Sequence, residues 1–328
     1  MHQLSDDANG VAVRLQGITK DFGKLRAVSE LDLEVPRGSL YGLLGPNGSG
    51  KTTTIRMIMG ILRPDRGTVS LLGSDPAKTG RNRIGYLPEE RGLYKAMKVL
   101  EQLVFLGQIR GMERKEAQRE AARWLERLDL TDRADQKVED LSKGMQQKVQ
   151  FIGTVLHRPD LLVLDEPFSG LDPINQDLME AIVREFHEAG VTILFSTHLM
   201  DQAERLCERV CLISQSRRIL DGDLRELKRQ ESGGVVAIDF EGDDGWVRGR
   251  EVLNVERTHT GVRVQIEDGA DPHSLLERAV ASGVRVRRFQ LMEPRLHEIF
   301  VRHVTASRGA PGDRLDFARE TARPGADV

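Results

Sequence analysis

Cysteine is nearly missing from this chain: two residues in 328, Cys207 and Cys211, four positions apart. A single pair is too sparse for a disulfide framework, and no further thiol completes a zinc set. The expectation is two small buried thiols in a reducing compartment. An excess of one charge is missing too. Lysine plus arginine number 48 and aspartate plus glutamate 51, a formal net charge of −3. No global field therefore favours nucleic acid or an anionic membrane. No apolar run approaches the roughly 20 residues that span a bilayer. The opening MHQLSDDANG is polar and reads as a loose leader over 1–10, without the pattern of a secretory signal. The chain is expected not to cross a membrane unaided.

What is present divides at about residue 220. Before it, strand-like runs alternate with helical ones. VAVRLQGI and LDLEV read as strands, and YGLLG (41–45) is a short apolar strand running into a glycine-rich loop. KVLEQLVFLGQIRG and RKEAQREAARWLERLDL repeat apolar residues at helical spacing, among them Leu103, Ala121, Trp124 and Leu125. Strands return at LLVLDEP (161–167) and VTILFSTH (191–198), with a helix opening at Asp172 and Pro173 between them. Such alternation predicts an α/β fold with a mixed, largely parallel sheet. After 220 the pattern resets. VVAIDFE, EVLNVERT, GVRVQIED and GVRVRRFQ read as four strands, with the helix DPHSLLERAVAS before the last. A small α+β domain over 221–305 is expected, then a flexible tail over 306–328 rich in Gly, Pro and charge.

GPNGSGKT at 45–52 matches G-x-x-x-x-G-K-[ST] with a strand before it and a helix-forming stretch after it. Gly45, Gly48 and Gly50 let the backbone wrap tightly and turn its N–H groups inward. Pro46, Asn47, Ser49 and Thr53 complete the segment expected around the phosphates of ATP. The following helix sets its positive end there. Lys51 is expected to reach the β/γ-phosphates and Thr52 to ligate Mg²⁺. Asp165 and Glu166 end a buried apolar strand, where unpaired charge is costly. They are either surface acids at a strand end or a Mg²⁺ ligand, Asp165, beside a base for the attacking water, Glu166. His198, ending the next strand, is either a satisfied polar residue or a donor beside the γ-phosphate. A second helix start, LSKGMQQ at 141–147, has Ser142 at the capping position and apolar residues at Met145, Val149, Ile152 and Leu156.

GPNGSGKT, LSKGM, LLVLDEP, SGLDP and STH, in that order over about 11–220, resemble the ATP-binding cassette (ABC) family of ATPases. The resemblance implies a P-loop NTPase core with an inserted helical subdomain, here about 90–158, that binds ATP and Mg²⁺ and hydrolyses ATP. It also implies a head-to-tail dimer with a second copy or a homologous ATPase subunit. In that dimer Ser142 and Gly144 of one subunit complete the nucleotide site of the other, and Asp172 crosses the interface. Phe22 matches the aromatic that stacks on adenine; read alone, it is more often a core residue. Glu89, in IGYLPEERGLY, stands where the family usually carries glutamine. It either ligates Mg²⁺ or serves mainly as a link to the permease. Lys143 and Met145 also depart from the commoner glycine and glutamine.

IGYLPEERGLY, LSKGMQQKVQF and the ending LMEPRLHEIFVRHV are similar to ATP-binding subunits of bacterial export-type ABC transporters, sodium-extrusion subunits included. That likeness implies an integral membrane permease as partner, a place on the cytoplasmic face of the cell membrane, and export of sodium ions or a drug-like substrate. The alternative is a soluble ABC ATPase acting on ribosomes or DNA. One phosphate loop, no long coiled coil and no basic stripe argue against it and against a nucleic-acid partner. The histidines after 220 have no metal spacing, and the C-terminal module is either regulatory or a stabilising appendage.

Overall fold

The run LYGLL and the first four residues of LLVLD are apolar, as strands covered on both faces require, and every residue of both strands, Asp165 included, is buried. The computed structural model describes residues 10–90, 92–232, 234–267 and 269–307. The expected leader lies outside these residues except for Gly10, and the expected tail lies outside them from residue 308 onward.

Strands β1 (Val11–Phe22) and β2 (Leu25–Pro36) form an antiparallel hairpin, and β3 (Leu40–Leu44) leads through the glycine loop into helix α1 (Lys51–Ile58). β4 (Arg66–Leu71) pairs with β1, completing a three-stranded antiparallel sheet. β5 (Ile84–Leu87) precedes the helical insertion, α2 (Val99–Ile109), α3 (Arg114–Arg127) and α4 (Lys143–Val155). Then follow β6 (Leu161–Asp165), α5 (Pro173–Glu188), β7 (Thr192–Thr197), α6 (Met200–Leu206), β8 (Arg209–Ser214), β9 (Arg217–Asp223) and α7 (Leu224–Gln230). The second sheet has six strands in the order β5-β6-β7-β3-β8-β9, parallel except for β9.

Side chains alternate between the two faces of that sheet. Leu40, Leu44, Leu162, Leu164 and Phe195 enter a core shared with the inserted helices, α5 and α6. Tyr41, Leu43, Leu161, Val163 and Leu194 enter a second core, shared with the antiparallel sheet and α1. Cys207 and Cys211 are buried, free thiols; burial raises the pKa of both.

The remaining elements are β10 (Val235–Glu241), β11 (Val252–Arg257), β12 (Gly261–Ile266), α8 (His273–Ala281), β13 (Arg285–Leu291) and α9 (Leu296–Ser307). The four strands form an antiparallel sheet ordered β11-β12-β10-β13. Val236, Ile238, Val264 and Ile266 pack with Leu275 and Ala279 of α8 in a separate small core. Two features depart from the expected division at 220 and 221. β9 stays paired with β8 as far as Asp223. Helix α9, counted with the small domain by sequence, sends Leu296, Ile299 and Phe300 into the large core of the first 220 residues.

Candidate nucleotide site

Parallel strands put their C-terminal ends on one edge, and ligands of open α/β sheets bind there. Register pairs Leu44 with Thr197 and Asp165 with Ser196. The glycine loop after β3, the acids ending β6 and His198 after β7 therefore emerge side by side.

Gly45 has φ 152° and Gly50 φ 107°. A Cβ on Gly45 would stand 2.1 Å from the Ile213 carbonyl oxygen, and one on Gly50 2.3 Å from that of Ala27. Neither position admits a side chain. Pro46 is half-buried, and Asn47 and Gly48 form the exposed rim of the loop. Ser49 is buried, and its Oγ finds no hydrogen-bond partner among the described residues. Lys51 opens α1, with its Nζ donating to the carbonyl oxygens of Gly45 at 2.7 Å and Pro46 at 3.2 Å. Burial lowers its pKa from the ordinary 10.5, opposed by the charges of Glu166, Asp165 and Glu89. Thr52 and Thr53 follow in the first turn of α1, half-buried.

Asp165 has no exposed surface. Its Oδ1 accepts a hydrogen bond from Ser196 Oγ, while Oδ2 has no partner among the described residues. A buried carboxylate oxygen left free beside Lys51 and the first turn of α1 suits a hard divalent cation, which takes oxygen ligands. Glu166 lies past the end of β6 with φ 48°, a left-handed turn and not the continued strand alternation of a simple reading. Its N–H donates to the carbonyl oxygen of Ser196 at 3.2 Å. Its Oε1 stands 2.9 Å from His198 Nδ1 and 3.9 Å from Lys51 Nζ. A carboxylate only accepts, so Nδ1 is the donor of that bond. Outside glycine such a backbone conformation costs roughly 1–3 kcal/mol, and here it turns the carboxylate between a lysine and an imidazole.

The other expected residues lie apart from this cluster. Ser142 caps α4, its Oγ accepting from the Met145 N–H at 3.3 Å, and is exposed. A Cβ on Gly144 would meet Leu171 and Gly170, so this helix start neighbours the SGLDP loop. Asp172 caps α5 through the Asn175 N–H at 3.0 Å, and the hydrogen bonds it accepts from Asn175 lower its pKa. No hydrogen bond or ion pair among the described residues joins Ser142 to the glycine loop. Phe22 is 49% exposed with Lys20 over its ring, which sets aside the core reading. Glu89 is exposed, two residues past β5. Ser196, which bridges Asp165 and the backbone of Glu166, was not singled out from sequence; the available signal was a serine inside a wholly buried strand. A cleft of about 1020 Å³ lined by Trp124, Arg158 and Phe186, among others, touches none of these residues.

A glycine loop closing on a buried lysine, with paired acids at the end of a neighbouring parallel strand, defines a P-loop ATPase. The ABC transporter family model matches residues 28–169, and the model for the C-terminal domain of DrrA1-3-like ATP-binding proteins matches 222–304. The chain is 46% identical over 290 residues to the uncharacterized ABC transporter ATP-binding protein YhaQ of Bacillus subtilis (strain 168), covering 88% of this chain and 97% of that protein. It is 32% identical over 313 residues to the daunorubicin/doxorubicin resistance ATP-binding protein DrrA of Streptomyces peucetius, 92% of this chain and 94% of that one. Over 293 residues it is 35% identical to the Nod factor export ATP-binding protein I of Burkholderia lata, covering 88% and 96%. Among solved structures, an ATP binding subunit of an ABC transporter superposes with TM-score 0.63 at 30% identity, covering 67% of this chain and 93% of that one. The chain belongs to the ATP-binding proteins of ABC transporters. It binds ATP and is an ATPase. The expected likeness to sodium-extrusion subunits gains no specific support from these relatives, whose names point to drug resistance and Nod factor export.

Proposed function

We propose that this chain powers export of a drug-like organic compound through a separate membrane permease, working on the cytoplasmic face of the membrane as one half of a head-to-tail ATPase dimer. The observation that carries the shared site is the separation of two helix starts. α1 opens inside the closed glycine loop with Lys51 buried, while α4 opens at an exposed Ser142 not joined to that loop. A second copy, or a homologous subunit, presents its own Ser142 and Gly144 to the nucleotide held here. Two positive helix ends then face one polyphosphate. Names of relatives support export of organic molecules, and among the described residues no helix is long and apolar enough to cross a membrane. The division into an ATPase domain over 11–220 with its helical subdomain, and an accessory domain from 221, is part of this reading, with β9 completed to Asp223 and α9 returned to the ATPase core.

Within the site, Lys51 leaves its carbonyl partners for the β/γ-phosphates, and backbone N–H groups of 45–53 hold the remaining oxygens. Phe22 lies under the adenine. Thr52 and Asp165 are the residues that would hold Mg²⁺, with Glu89, whose charge acts on Lys51, as a further candidate; the ion when bound would neutralise developing charge on the phosphate oxygens. Glu166 accepts the proton of the attacking water, and His198 orients it from the other side. A positioned base of this kind is worth ~10²–10⁴ in rate. Asp172 rigidifies the loop that meets the partner.

Replacing Glu166 with glutamine in the full chain tests this. ATP binding is expected to persist, turnover to become nearly undetectable, and sedimentation to show an ATP-dependent dimer. Normal turnover would remove Glu166 from the base role. A variant that stays monomeric with ATP bound would remove the shared site.

A further inference from the structure

β5 is the edge strand of the six-stranded sheet, so the carbonyls on its outer side have no neighbouring strand to bond. Ile84, Tyr86 and Pro88 share that side, because strands repeat every second residue. Helix α4 takes the place of the missing strand. His157 Nε2 donates to the Ile84 carbonyl oxygen at 3.1 Å, and Thr154 Oγ1 to that of Tyr86 at 3.4 Å. Gln150 Nε2 donates to the carbonyl oxygens of Pro88 at 3.1 Å and Glu90 at 3.2 Å. Gln150 and Thr154 lie one turn apart on α4, His157 follows in the turn just past its end, and the three contacts run opposite to the strand. The Gln150 contact is the heaviest in consequence. Gln150 is buried, 6% exposed, and its two bonds flank Glu89. The helix that begins at Ser142 is thus fastened to the backbone on both sides of Glu89. Three residues earlier on the same helix, Gln147 Nε2 donates to the Pro167 carbonyl oxygen at 3.0 Å, beside Glu166.

We propose that Gln150 is a positioning residue that makes the start of α4 and the Glu89 loop move as one body. Engagement of Ser142 with the nucleotide of a partner subunit is then transmitted to Glu89 and to the segment beyond it. The proposal rests on the shared-site reading above. A buried amide held by two backbone carbonyls resists separation because parting them leaves donor and acceptors unsatisfied. A hydrophobic contact alone would let the loop slide.

The test uses the full chain carrying Glu166→Gln, with hydrogen exchange followed at residues 143–146 and at Glu89 and Glu90, with and without ATP. In the parent, ATP is expected to slow exchange several-fold at both places. Gln150→Met preserves volume but removes the donor; it should keep the slowing at 143–146 and lose it at 89–90. Gln150→Lys returns a donor of similar reach, as Lys148 already donates to the Leu128 carbonyl oxygen from a buried position on this helix, and should restore the slowing at 89–90. Gln147→Met should leave both responses in place. Equal slowing at 89–90 in the parent and in Gln150→Met, at unchanged unfolding temperature, would overturn the proposal. So would an equal loss in Gln147→Met and Gln150→Met, which marks general loosening of α4. Absence of any ATP response at 143–146 in the parent would instead bring down the shared site, and the coupling with it.

Discussion

Lys51 and Asp165 carry charge into places with little water, and each leads to a measurable consequence. Burial keeps the Lys51 ammonium below the ordinary lysine pKa of 10.5 in the nucleotide-free chain. A bound polyphosphate favours the protonated form, so nucleotide uptake draws in a proton wherever Lys51 is partly neutral. ATP affinity should therefore fall as pH rises from neutral toward that ordinary value. Titration calorimetry should show net proton uptake over the same range, and Lys51→Arg should abolish the slope. Asp165 depends on Ser196, whose Oγ is the donor to Oδ1. Ser196→Ala leaves a buried carboxylate with no partner on either oxygen, a change expected to cost about 1–3 kcal/mol in denaturant unfolding without nucleotide. Magnesium and ATP together should recover part of that loss. The entry of the glycine loop into α1 at Lys51 and the position of Asp165 and Glu166 at the end of a buried strand were legible from sequence, because each is a local pattern. The left-handed turn at Glu166 and the role of Ser196 were not. Both arise from the pairing of β6 with β7, some 30 residues away in sequence, and no local pattern encodes that register.

Helix α4 is where most of the local and long-range structure meets. Its cap was readable from Ser142, and the structure has the bond to the Met145 N–H. Ser142→Ala should cost about 1 kcal/mol of helix stability and reduce hydrolysis, while ATP affinity of the isolated monomer stays unchanged; an equal loss of monomer affinity would place Ser142 in its own subunit's site. The ladder of His157, Thr154 and Gln150 along β5 was not readable, since it depends on which edge of the sheet the inserted helices cover. His157 adds a pH response. Its imidazole is held below the ordinary 6.5 by burial, against the bond to the Ile84 carbonyl oxygen. A base depressed in the folded state contributes full stability above its unfolded value and loses it as pH falls through its folded value. Melting temperature should thus decline on acidification below about 6.5. His157→Gln retains a donor without titrating and should flatten part of that decline.

At the scale of the whole molecule, a nucleotide-binding unit and a small α+β unit share one polypeptide, and the seam between them is not where the sequence pattern changes. The reset near residue 220 was visible as a change in strand spacing. The destination of α9 was not, because an amphipathic helix records that it has an apolar face without recording which core receives it. Leu296, Ile299 and Phe300 enter the large core beside Met200, Ala203 and Leu206 of α6, and Glu204 Oε2 accepts from the Leu296 N–H at 3.1 Å. Fully burying such side chains is worth roughly 1.5–3 kcal/mol each. A chain ending before Leu296 should therefore melt several degrees lower in its nucleotide-binding unit, by calorimetry without ATP, although every nucleotide-site residue is retained. The docking of α9 also sets an order of events during synthesis. A ribosome adds about 5–20 residues per second, and the N-terminal unit waits for a helix translated some 75 residues after its last strand. Until Phe300 has cleared the exit tunnel, the growing chain carries an unsealed seam beside α6, where a chaperone or a protease would find its first hold.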